Sequence, residues 1–192
     1  MSKKLVCFVE GASDQKFLKI LIKNIKGKSN KKTKIDCLSL GSYGKLKSKI
    51  KKRIQNMQSS DNNFLIMIDQ DKSDCRERKN EISQEVKIDK NKRATKVKIR
   101  VACRQLESFY LGDLNAVKEG LNIRSKKLLQ RKTKKPFSNP DDITNPLEEL
   151  KKLTGSKSKN ILSKAITPYL KIDGTNKSHS FNVLVTAIEH LL

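Results

Sequence analysis

A chain of 192 residues fits one domain with room for a small appended lobe, and its 35% apolar content supports a core. No apolar run approaches membrane-spanning length, and with no Trp and only 5% aromatics the core falls to Ile, Leu and Val. The 43 basic residues against 20 acidic ones give a formal net charge of +23, which points to a polyanionic partner, nucleic acid being the commonest. Lys-heavy, Asn-rich and Ile-rich usage is also what an AT-biased genome produces, so basicity alone identifies no enzyme.

The chain opens with Leu5 to Val9, a continuous apolar run that reads as a buried parallel strand and ends at Glu10 and Gly11. That run lacks the length and cleavage site of a signal peptide, so a cytoplasmic location is expected. Ser13 to about Ile25 is a helix with Phe17, Leu18, Leu21 and Ile22 on one face, capped by Ser13 or Asp14. Lys34 to Leu40 is a second strand closed by "GSYG". Lys45 to Met57 is a basic amphipathic helix with Leu46, Ile50, Ile54 and Met57 at helical spacing. Phe64 to Ile68 is a third apolar strand, followed by Asp69 and Asp71. Asp74 to about Val86 is a weakly patterned helix. Lys96 to Ala102 alternates at Val97, Ile99 and Val101, which suits an edge strand.

The second half changes character. Beyond Leu106 to Leu111, the stretch "RSKKLLQRKTKKPFSNPDDITNP" reads as a polar, basic surface excursion. Asn145 caps a helix with Pro146 at its first position and Glu148 and Glu149 in its first turn, and Gly155 ends it. Helices follow from about Lys159 to Ile166 and from about Ser180 to Leu192. The expected fold is α/β: a small, mainly parallel four-stranded Rossmann-like sheet with helices on both faces. Residues 1–113 form the core of this scheme, and 114–192 a basic loop and helical extension packed on it. The cysteines Cys7, Cys37, Cys75 and Cys103 form no CxxC pair, and with His179 and His190 they make poor zinc ligands.

In open α/β sheets, chemistry gathers beyond the carboxyl ends of the strands. Glu10, Asp69 and Asp71 stand at two such ends. Asp69 and Asp71 are two residues apart, so in extended chain they point to one side. So placed, they could share a hard cation such as Mg2+ or Mn2+, with Glu10 as a further ligand or a general acid or base. Gly11 lets backbone approach a phosphate. Each signal has a plainer reading, since a DxD is often a solvated turn. Glu107 follows the fourth strand and is either a further metal ligand or a helix-start acid paired with Arg104. Asp14 reads as a helix-start residue, and Phe109 and Tyr110 read as core. No P-loop is present in the sequence, so hydrolysis of ATP by this chain is not expected.

At these residues the chain resembles the Toprim superfamily, the metal-binding domain of topoisomerases, primases and related nucleases. "VEGASD" is similar to the Toprim glutamate motif, and "MIDQD" to its DxD motif. "IDQDKSDC", "RVACRQLESFYLGD" and "NKSHSFNVLVTAIEHL" resemble motifs of a small stand-alone Toprim-like group, the RloG-like proteins of bacterial phage-defence loci. The resemblance implies that Glu10 is the catalytic acid or base, that Asp69 and Asp71 hold Mg2+, and that Glu107 lies near the metal. Gln105 and Phe109 depart from the Glu and Trp of that pattern. The resemblance also implies an AAA- or ABC-type ATPase partner. A homodimer is compatible with a chain of this size.

The expected function is that of a Mg2+-dependent nuclease effector of a defence system. Lys45, Lys49, Lys52 and Arg53 on the basic helix, and Arg124, Lys126, Lys127 and Arg131 in the basic loop, would contact the phosphate backbone. The alternative is a Toprim-like binding or regulatory subunit that cuts nothing alone.

Overall fold

The computed structural model describes residues 3–27, 32–57, 62–86, 95–124, 127–130, 135–155 and 157–192. Four strands form one parallel sheet in the order β2-β1-β3-β4: β1 (Lys4–Val9), β2 (Lys34–Ser39), β3 (Asn62–Asp69) and β4 (Val97–Ala102). Helix α1 (Ala12–Gly27) joins β1 to β2, α2 (Tyr43–Met57) joins β2 to β3, and α3 (Cys75–Glu85) joins β3 to β4. After β4 come α4 (Glu107–Leu111), α5 (Leu114–Gly120), α6 (Lys127–Gln130), α7 (Pro146–Thr154), α8 (Lys159–Ile166) and α9 (His179–Leu191). The fold class is therefore the expected α/β sheet with a helical C-terminal part. None of the described helices is long and apolar enough to cross a membrane.

The pleat sorts the central strands between two cores. Leu5, Cys7 and Val9 of β1 and Leu65 and Met67 of β3 pack with α1, α9 and the other C-terminal helices. Val6 and Phe8, with Phe64, Ile66 and Ile68, pack with Leu46, Ile50 and Ile54 of α2 and Ile82 of α3. Both inner strands are covered on two faces, which is why they read as unbroken apolar runs. β4 is one of the two outer strands, and its Val97, Ile99 and Val101 are only partly buried, in keeping with its alternating pattern. Helix α9 is tied to the sheet at its end, where Leu191 C=O accepts from Asn63 at 2.8 Å and Leu192 C=O from Thr33 at 2.9 Å. Cys7 and Cys37 are buried register partners across β1 and β2, and all four cysteines are free.

Strand order reverses between β1 and β3. The chain leaves β1 through α1 to one face and leaves β3 through α3 to the other. The two exits therefore diverge and open a crevice at the carboxyl ends of the central strands.

Candidate functional site

Glu10 leaves β1 into this crevice on a fixed backbone. Its carbonyl accepts from Gly41 N–H at 2.7 Å and from Ser39 Oγ at 2.8 Å, both at the exit of β2. Its carboxylate crosses to the next strand and accepts from Asp69 N–H at 2.9 Å. Burial raises the Glu10 pKa, with Asp71 and Asp14 adding to the rise against that hydrogen bond.

Asp69 turns inward. Its Oδ1 accepts from Leu106 N–H at 3.0 Å, just ahead of α4. Asp69 keeps some exposed surface, but its carboxyl lies among dense neighbours. That burial, with repulsion from Asp14, Glu107 and Glu10, pushes its pKa well above the ordinary value.

Asp71 departs from the extended-chain expectation. It sits at the start of a turn with φ 54°, a left-handed conformation that Asp tolerates, and its N–H donates to Arg104 C=O at 2.7 Å. The change of backbone direction parts the two aspartates. Asp69 faces the interior, whereas Asp71 is exposed and lies 3.9 Å from the Arg78 guanidinium.

Two residues beyond the expected set complete the cluster. Asp14 occupies the first turn of α1, where Oδ2 accepts from Gly11 N–H at 2.8 Å, the backward half of a capping box. It is a helix-start residue, as its position suggested, and it also faces the crevice, where burial raises its pKa. A Cβ on Gly11 would stand 3.2 Å from that oxygen, so glycine keeps the turn uncrowded. Lys159, at the start of α8, places Nζ 3.4 Å from Glu107 Oε1. Burial opposes its charge, but Glu107, Asp69 and Asp14 outweigh that and raise its pKa.

Glu107 is 1% exposed and pairs with Lys159 rather than Arg104. Neither of its oxygens has a hydrogen-bond partner. Burial raises its pKa against the pull of Lys159. Phe109 and Tyr110 beside it are core, as expected.

Among the described residues, no three Asp, Glu, His or Cys side chains are gathered into a group that would hold a metal ion. Their contacts give the reason. Glu10, Asp14 and Asp69 each accept a backbone N–H, Asp71 is drawn to Arg78 and Glu107 to Lys159. The donor set nonetheless fits a hard cation. It is all carboxylate, and Glu107 presents two buried oxygens without hydrogen-bond partners, which a cation would satisfy.

The nucleic-acid residues divide. Lys45, Lys49, Lys52 and Arg53 are all exposed on α2, and Lys49, Lys52 and Arg53 line a shallow cleft with Ser48 and Asn56. Arg124 is exposed beyond α5. Lys126, Arg131 and the side chain of Lys127 lie outside the described residues.

Fold and site together define a doubly wound α/β protein with a lysine-bearing carboxylate cluster at its topological switch point. The family described as a domain of unknown function, DUF4276, matches residues 9–189, and the chain belongs to it. No curated protein and no solved structure matches the chain.

Proposed function

We propose that the protein is a Mg2+- or Mn2+-dependent phosphodiesterase acting on nucleic acid, a nuclease effector of a bacterial defence system that works in the cytoplasm with an ATPase. The observation that carries this reading is the convergence of Glu10, Asp14, Asp69, Asp71 and Glu107 on one crevice of a strongly basic chain. The metal would sit beside Asp69 and Glu107, with Asp14 and Glu10 at its flank, and Asp71, turned toward Arg78, would become a ligand only on reorienting. When bound, the ion would clamp the scissile phosphate and offset charge on the attacking and leaving oxygens. Glu10 is suited to move a proton, because burial raises its pKa toward the range of a useful acid or base. Its backbone, fixed by Gly41 and Ser39, keeps the carboxylate aimed without further ordering. The exposed cations of α2 would bind the strand through phosphates and give little sequence preference.

The test is cleavage of labelled DNA and RNA, with Mg2+ or Mn2+, by the protein alone and with the ATPase encoded nearest to its gene. Asp69→Asn keeps an acceptor for Leu106 N–H and removes the charge, so it should abolish cutting without unfolding the chain. Glu10→Gln should lose cleavage while keeping more of its metal binding. Cleavage by Asp69→Asn at the wild-type rate would refute the reading. The Lys159–Glu107 pair favours a second reading, a binding or regulatory subunit in which lysine is the standing counter-cation of the crevice. Absence of cleavage of either polymer by the triggered, complete system would establish that alternative.

A further inference from the structure

Beside the crevice lies an open cleft of about 400 Å3, lined by Asp71, Lys72, Ser73, Arg78, Gln105, Thr144 and Asn145. Among the described residues its lining holds no aromatic or aliphatic side chain, so a base would find no ring to stack on. It offers two cations and several amide and hydroxyl groups, which suit a phosphate and a sugar.

Arg78 is the ordered cation of this cleft. Its guanidinium lies 3.7 Å from the centroid of the Tyr43 ring, and its side chain is 15% exposed. Tyr43 is itself held, because its hydroxyl donates to Glu81 at 2.9 Å while Lys47 Nζ donates to the same oxygen at 2.7 Å. The guanidinium is thus fixed by stacking at the start of α2 and by its own helix α3. Its hydrogen-bonding capacity is little used. Nε has no partner, and the 3.9 Å to Asp71 is too long for a hydrogen bond. A planar fork held in place with donors to offer is the form in which arginine binds phosphate most strongly.

We infer that Arg78, braced on Tyr43, binds a backbone phosphate of the nucleic-acid strand next to the one held at the carboxylate crevice, and that the cleft takes the attached sugar. This rests on the nucleic-acid reading above. It also joins two features otherwise separate: Tyr43 begins the helix whose exposed face carries Lys45, Lys49, Lys52 and Arg53. A strand lying along α2 would pass over Arg78 on its way to Asp71.

The experiment is fluorescence anisotropy of short labelled single-stranded DNA, single-stranded RNA and duplex DNA in EDTA, so that binding is read without cleavage. Arg78→Ala should weaken binding about tenfold, the loss of one charged hydrogen-bonding group. The polymer whose affinity depends on Arg78 is the source of the phosphate. Arg78→Lys, which keeps charge but not the fork, should recover only part of the loss. Tyr43→Leu should weaken binding, and Tyr43→Phe, which keeps the ring but not its bond to Glu81, should weaken it less. Circular dichroism establishes that each variant is folded. Binding by Arg78→Ala within about twofold of wild type, while charge reversal at Lys49, Lys52 and Arg53 abolishes it, would overturn this inference alone. Wild-type protein that binds none of the polymers would overturn both it and the nucleic-acid reading.

Discussion

At the scale of single residues, four carboxyl groups share one perturbation. Burial raises the pKa of Glu10, Asp14, Asp69 and Glu107, and they repel one another in a crevice with one neighbouring ammonium. A carboxyl with a raised folded pKa binds its proton more tightly folded than unfolded, so its effect on stability falls as pH rises from the unfolded value through the folded one. Lys159 does not oppose this, because its raised pKa stabilises the fold throughout that range and is lost only in alkali. Without divalent ions, the melting temperature should therefore fall as pH rises above the ordinary carboxylate range. Glu107→Gln should flatten the fall, because it removes one of the raised carboxyls. Added Mg2+ should raise the melting temperature more at the alkaline end, where the carboxylates are free of protons. Differential scanning fluorimetry across this range measures all three, and a melting temperature that climbs with pH in the absence of metal would contradict the account. Glu10, Asp69 and Asp71 were legible in the sequence because strand ends announce themselves by apolar runs. Lys159 and Arg78 were not, since Lys159 reaches Glu107 across 52 residues of chain and Arg78 lies in a helix of weak pattern.

At the scale of elements, the inner strands were legible as unbroken apolar runs, because both faces are buried, and β4 and the helix faces as apolar periods. Helix α9 runs over His179–Leu191, one residue from its expected position. Direction changes were not legible. Asp71 takes φ 54° and Arg104 φ 60°, neither at a glycine, and Gln70 Oε1 clamps the two exits by accepting from Arg104 N–H at 2.9 Å. Asn145 stands at the N-cap of α7, but its side chain makes no capping bond. The start of α9 is held by a longer-range device. Asp141 accepts from Ser178 Oγ at 2.6 Å, Ser180 N–H at 2.8 Å and Ser180 Oγ at 3.0 Å, which pins the basic excursion to the helix that packs on β3 and β4. The neighbouring Gly112 lets α4 approach this turn. A Cβ there would stand 2.0 Å from Asn176 Oδ1 and 2.8 Å from Ser178 N. Gly112→Ala should cost about 1–3 kcal/mol in urea or thermal unfolding, through overpacking against backbone. A variant as stable as wild type would mean that the turn at Asn176 yields freely.

At the scale of the whole molecule, the question is whether a charge of +23 serves binding or reflects codon usage. The distribution favours a function for part of it. The apolar face of α2 is buried at Leu46, Ile50 and Ile54, while Lys45, Lys49, Lys52 and Arg53 all remain exposed. Among the described residues no ion pair engages these cations, and they stand on the helix that begins beside the crevice. Counterion release makes the consequence measurable. The logarithm of the binding constant should fall linearly with the logarithm of salt, by about 0.9 per phosphate neutralised on duplex and about 0.7 on single strands. Reversing Lys49, Lys52 and Arg53 to Glu should lower the magnitude of that slope by about 0.7–0.9 for each phosphate these residues contact. Reversing Lys151 and Lys152, which pair with Glu148 and Glu149 on α7, should leave it nearly unchanged. Affinity measured over a salt titration decides the matter, because charge set by codon usage would make the triplet and the pair equivalent per residue. Equal slope changes per charge removed would assign the basicity to the genome, whereas a loss confined to α2 would assign it to the strand.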